Sequence, residues 1–209
     1  MNFRTCETVI LLGTLGLAFA LWYVIFVLSF GNFWVKISLS SALLSAGSLL
    51  VMKKNRGTSF RFRYRYIIEG VLSAVLLYGI FLLGKLIITT AAASSGEAIA
   101  AVYAPRKDFP VWLIGVLLFF VTSPAEEIFW RGFVQRKLMQ HAGTVAGFLL
   151  ASGLYAGVHV WTLNAPLILA AFTAGCMWGL LYLVERALVP VIVSHAVWSL
   201  AAFVLFPFS

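Results

Sequence analysis

Five side chains in this 209-residue sequence have the types and spacing that proton-transfer chemistry would require: Glu126, Glu127, Arg131, His159 and His195. Three of them fall in one run, Pro124-Ala125-Glu126-Glu127-Ile128-Phe129-Trp130-Arg131-Gly132, with Phe119, Phe120 and Val121 before it and Phe133 and Val134 after it. A charged side chain in such apolar surroundings costs about 2.5–3.5 kcal/mol at membrane depth and marks a functional site. On a helix, Glu127 and Arg131 are four residues apart and share a face, so they can form a partly buried ion pair. Glu126 lies about 100° away on the same helix. It lacks that partner and must find another. A carboxylate without a cationic partner, turned into a helix bundle, suits a general base or acid.

The histidines extend this reading. His159 lies in the apolar run Tyr155-Ala156-Gly157-Val158-His159, and His195 in Ser194-His195-Ala196-Val197-Trp198-Ser199. Tyr155 and His159 share a helix face, as do His195 and Ser199. Each imidazole thus has a polar neighbour at hand to orient it. His141, beside Ala142-Gly143 at a helix end, reads as a solvated residue. Cys6 and Cys176 fit no metal-knuckle or disulfide spacing.

The elements that must carry these residues follow from composition. Hydrophobic residues make up 62% of the chain and charged ones 11%, against about 25% charged in soluble domains. Mean hydropathy is +1.01. Lipid is the solvent that such a surface matches. At about 20 apolar residues per span, the chain is a single transmembrane domain, residues 1–209, an all-α polytopic helix bundle of about seven spans. These run over residues 8–30, 34–52, 66–89, 110–137, 144–163, 166–184 and 189–206. An eighth is open if Pro124 divides the fourth. The N-terminal apolar run is longer than a signal-peptide core and has no small-residue cleavage site after it, so it reads as the first span. Segment 90–109, small and polar, reads as a loop. The net charge of +8 comes largely from Lys53, Lys54, Arg56, Arg61, Arg63 and Arg65, a loop between spans. The positive-inside rule accounts for it, and nucleic acid is not needed as a partner. With that loop cytoplasmic, the N-terminus, Arg136, Lys137 and Arg186 also fall inside. The turns at 31–33 and 164–166 and segment 90–109 fall outside. Gly153 with Gly157, and Gly175 with Gly179, are small-residue pairs that permit close helix contact.

The pattern Glu126-Glu127-x-x-x-Arg131, then Tyr155 four residues before His159, then His195 four residues before Ser199, resembles the CPBP (Abi) family of intramembrane proteases. That family includes CAAX-processing endopeptidases and bacteriocin-processing or immunity proteins. Tyr155 stands where the family more often has Phe, and Ser199 where it usually has Asn or Asp. The motif region is about 110–205. The resemblance implies that Glu126, helped by His159, activates a water for attack on a peptide carbonyl. It implies that His195 and Ser199 stabilise the oxyanion, and that Glu127, Arg131 and Tyr155 support them.

The expected activity is therefore that of an intramembrane endopeptidase acting on a membrane-associated protein or peptide precursor, in a multi-pass protein of a cell membrane, a prokaryotic plasma membrane foremost. A metal-independent mechanism is favoured. Zinc is the competing cofactor, with Glu126, His159 and His195 as its three ligands and an open fourth position. No His-Glu-x-x-His helix is present. The alternative is a non-catalytic or weakly active bacteriocin-immunity or scaffold protein of the same fold, a reading that Ser199 sustains. A transporter with a proton relay is disfavoured, because no internal repeat is detectable.

Overall fold

The structure is a computed structural model, and it describes residues 3–52, 59–92 and 94–208. Lys53, Lys54 and Arg56 of the basic loop lie outside the described residues. Helices α1 (Phe3–Phe26), α2 (Phe33–Val51) and α3 (Tyr64–Ala91) come first, then a short α4 (Ser94–Val102) and a 3₁₀ turn (Ala104–Asp108). Four more follow: α5 (Val111–Ala142), α6 (Thr144–Thr162), α7 (Ala165–Glu185) and α8 (Val189–Leu205). Six of these helices are long and apolar enough to cross a membrane, and α8 is a shorter apolar helix. The all-α polytopic bundle expected from composition is therefore what forms.

Local chemistry explains the boundaries. Asn32 caps α2, its side-chain oxygen accepting from Trp34 N at 2.9 Å and Val35 N at 3.3 Å. Asn164 does the same for α7, accepting from Leu167 N at 3.0 Å. Segment 90–109 is not an unstructured loop: it contains α4. Its run Ala98-Ile99-Ala100-Ala101 has high helix propensity, and Glu97 sits in the first turn, where the helix dipole favours an acid.

Pro124 does not divide the fourth span into two. Helix α5 is continuous because the turn before Pro124 is wide. Ser123 N–H reaches back five residues, to Leu118 O. Such a π turn accommodates the missing donor and the ring of a proline that a tight α turn would reject. A second π turn covers Ile128–Gln135, and a third, Ala201–Leu205, ends α8.

The two ends of the bundle are tied differently. At one end Lys137 pairs with Glu7 at 2.6 Å, Arg65 pairs with Glu185 at 2.5 Å, and Arg61 donates to the carbonyl of Glu185. At the other end Trp34 Nε1 donates to Pro105 O at 3.0 Å, and Asn164 Nδ2 to Ala98 O at 2.7 Å. The basic segments thus share one end, and the weakly charged turns the other, as the alternation of spans requires.

Close helix approach is uneven among the glycines. A Cβ at Gly175 would meet Ser152 O at 3.2 Å, and one at Gly179 would meet Phe148 at 2.9 Å, so this pair seats α7 against α6. Gly157 faces Phe19, but Gly153 faces open space, so it does not share in that contact. The tightest site is Gly147, where a Cβ would lie 2.3 Å from Met139 N. Backbone cannot yield there as a side-chain tip can. Gly147→Ala should lower the stability of the detergent-solubilised protein by about 1–3 kcal/mol, the cost of overpacking. Gly153→Ala should leave it unchanged. Equal unfolding temperatures for the two variants would refute this packing assignment.

Candidate active site

The site is assembled from α5, α6, α7 and α8 around Arg131. The guanidinium is 2% exposed and is bonded to two elements. Nη1 donates to Glu127 Oε1 at 2.9 Å and Nη2 to the Gly175 carbonyl at 3.2 Å. Two rings pack beside it, with the centroids of Tyr155 4.7 Å and Trp178 5.4 Å from the guanidinium carbon. Arginine's weak hydration and planar fork suit this setting, which an ammonium would not fill. The expected Glu127–Arg131 pair is present, and Glu127 carries a second load. His195 Nδ1 lies 2.7 Å from the same Oε1. A carboxylate oxygen accepts, so Nδ1 is the donor.

Glu126 turns the other way, into a different partner. Tyr155 Oη donates to Glu126 Oε2 at 2.9 Å. This corrects the expectation drawn from helix faces, in which Tyr155 would orient His159 through its side chain. It is the carbonyl of Tyr155 that meets His159, 2.9 Å from Nδ1. A carbonyl accepts, so Nδ1 carries the hydrogen, and a neutral His159 presents its lone pair at Nε2. His159 sits in a 3₁₀ turn, Val158–Thr162, that tightens the end of α6. Among the described residues Glu126 makes no ion pair.

Glu126, Tyr155, His159, His195 and Ser199 all line one cavity of about 530 Å³. Its walls are mostly apolar, and it runs from the buried Glu126 carboxylate to Lys85, Tyr103 and Phe208 at the far end. Ser199 is 2% exposed, and Ser123 Oγ donates to its Oγ over 3.4 Å. The two histidines and Glu126 share this cavity, yet no group of three His, Cys, Asp or Glu side chains converges as a metal-binding set among the described residues. Glu126, His159 and His195 are thus not gathered into a single ligand set in this arrangement.

Several participants had no signal in the sequence. Trp178 stacks on His195 with ring centroids 3.7 Å apart and 18° between planes. Its Nε1 donates to Ser194 Oγ at 3.2 Å, and Ser194 donates to Ser73 Oγ at 3.0 Å. This chain anchors the imidazole plane from α7, α8 and α3 together. A tryptophan in an apolar run looks the same whether it fills a core or holds a ring.

Removing the guanidinium strands a buried carboxylate. Arg131→Met should destabilise the protein by about 3–5 kcal/mol, the usual cost of breaking a buried pair from one side. Arg131→Lys should recover only part of this, because a lysine cannot reach Glu127 and Gly175 O together. Denaturation in detergent measures both, and wild-type stability for Arg131→Met would contradict the hub assignment.

The motif region also matches a known family. Residues 107–201 match the family model described as "Rce1-like: Type II CAAX prenyl endopeptidase Rce1-like". No curated protein and no solved structure matches the chain. The matched span holds Glu126, Glu127, Arg131, Tyr155, His159, His195 and Ser199, and over it the chain is similar to the CAAX-protease-like membrane endopeptidases.

Proposed function

We propose that the chain is an intramembrane endopeptidase in which Glu126 activates water for attack on a peptide carbonyl of a membrane-associated protein or peptide. The observation that carries this reading is Glu126 itself. It is 5% exposed, lines the cavity, is held by one hydroxyl and makes no ion pair among the described residues. Glu127, one residue away, is consumed by Arg131 and His195. The division of labour is between a carboxylate whose Oε1 holds both Arg131 and His195 and one that can exchange a proton.

The reaction balances on these groups. Water loses a proton to Glu126 as its oxygen bonds to the carbonyl carbon. His159 Nε2, on the same cavity, accepts a hydrogen bond from that water and orients it. The oxyanion is met from α8 by His195 and Ser199. With Nδ1 donating to Glu127, His195 donates into the cavity from Nε2 when both ring nitrogens carry a proton. Ser199 Oγ adds a hydroxyl donor. Collapse of the tetrahedral intermediate breaks the C–N bond, and Glu126 returns its proton to the leaving amine. The apolar walls suit a hydrophobic peptide entering from lipid. The metal-independent route is favoured by the absence of a converging ligand set among the described residues.

Glu126→Gln should lower kcat by about 10²–10⁴-fold, the usual contribution of a general base, with the unfolding temperature preserved because Gln still accepts from Tyr155. Ser199→Ala should lower kcat by up to about 10²-fold, with KM little changed, as for loss of an oxyanion donor. Full activity of Glu126→Gln would end the proposal. Chelation should leave cleavage intact. Stoichiometric zinc, with loss of cleavage on its removal, would replace this mechanism with a metal-dependent one. A confirmed natural substrate left uncut by the wild type would favour the non-catalytic immunity or scaffold reading.

A further inference from the structure

The far end of the cavity is walled in part by Phe208, from the segment that follows α8. Pro207 bars the preceding residue from continuing α8, and Phe206 leaves the helix at φ −138°, ψ 68°. The backbone that follows is gripped by side chains from other elements. Tyr78 Oη on α3 donates to Phe206 O at 2.6 Å. Phe208 N–H donates to Tyr103 Oη at 3.2 Å. Lys85 Nζ donates to Phe208 O. Residue 207, a proline, has no N–H to offer, and none is required.

The Phe208 side chain completes the fit. It stacks on Tyr78 with centroids 4.7 Å apart and 28° between planes, and it packs on Phe81 at 5.9 Å. Phe208 is 7% exposed, whereas Phe206 is 64% exposed. Backbone groups of residues 206 and 208 are read, and only one side chain is enclosed. Side-chain clamps on a peptide backbone, with a pocket for one residue, are how proteins recognise extended segments: main-chain bonds supply affinity and the pocket supplies selectivity. Phe81 in turn packs on Trp198 at 4.9 Å, next to Ser199. The clamp is therefore continuous with the candidate active site.

We infer that Lys85, Tyr103, Tyr78 and Phe81 form a peptide-binding subsite for an apolar segment with an aromatic side chain, and that residues 206–208 occupy this subsite until an incoming peptide displaces them. Lys85 is the informative member. It is a cation within a membrane-spanning helix, it lines the cavity, and among the described residues it makes no ion pair. Its bond to a peptide carbonyl fits a role in ligand capture. The inference rests on the peptidase reading only for the nature of the displacing ligand.

The test is a binding measurement that does not depend on catalysis. The probe is a fluorescein-labelled, amidated peptide reproducing residues 204–208, titrated by anisotropy into full-length Glu126→Gln protein in detergent. If the tethered segment fills the subsite nine-tenths of the time or more, apparent affinity is reduced by about tenfold or more. Adding Phe208→Ala should therefore tighten binding at least about tenfold. Adding Tyr103→Phe, which deletes one acceptor from the segment and equally from the probe, should leave affinity within about threefold. Combining Phe208→Ala with Phe81→Ala should abolish the gain. Unchanged affinity in the Phe208→Ala protein, with its unfolding temperature intact, would overturn the inference.

Should Phe208→Ala prove unstable, Phe208→Leu decides in its place, because it keeps apolar bulk while losing the stack on Tyr78. It should tighten binding severalfold, and an unchanged Kd would overturn the inference. Cleavage by proteins with Glu126 restored separates the two claims. If binding shifts as expected but no variant cleaves any peptide, the peptidase reading fails and the subsite stands. If peptides are cleaved but binding does not shift, the subsite fails and the peptidase reading stands.

Discussion

A guanidinium buried among apolar helices is the constraint on which the rest of the site depends. Arg131 cannot give up its charge, so the structure must meet every face of it. Glu127 and the Gly175 carbonyl each accept from it, and the rings of Tyr155 and Trp178 pack beside it. Those same partners then serve the reacting groups. Glu127 holds His195, Tyr155 holds Glu126, and Trp178 stacks on His195. One cation therefore fixes the orientation of two candidate catalytic side chains from three helices. Charge balance favours the arrangement as well. Glu127 sets its charge directly against that of Arg131, and a paired charge is far less costly to bury than an unpaired ion.

The small residues near this hub have the same origin. A carbonyl can reach Arg131 from α7 only if α7 lies close, and Gly175 supplies that approach with no Cβ in the way. Gln135, one turn further along α5, repeats the device by donating to the Gly179 carbonyl at 2.8 Å. Two side chains of α5 are thus bonded to the backbone of α7 at positions four residues apart. This is an economical way to fix both the rotation and the height of one helix against another in lipid, where hydrophobic burial does not drive association.

What could be read from sequence divides along the same physical lines. The Glu127–Arg131 pair was legible because it is local to one helix and follows from its period. The bundle and the grouping of its ends were legible because lipid demands long apolar runs and charge marks their boundaries. The partner of Glu126 was not, because Tyr155 is on another helix and its hydroxyl has no sequence relation to position 126. Helix α4 escaped because its alanines and serines satisfy both a helix and a polar connector. Trp178 was silent because its role is a matter of plane and distance, which residue type does not encode.

The three wide turns have a further consequence. A π turn holds one residue more than an α turn would, so it acts as a phase shift in the helix that contains it. Two such shifts bracket Glu126 and Glu127 in α5, and a third lies just past Ser199 in α8. Each rotates everything downstream by about 100° relative to an unbroken α-helix. The faces these helices show at the carboxylates and at their ends are therefore set independently. An insertion absorbed as a bulge can alter what a helix end meets while the chemistry stays in place, and the loss of that one residue would swing a whole face of the bundle from protein into lipid.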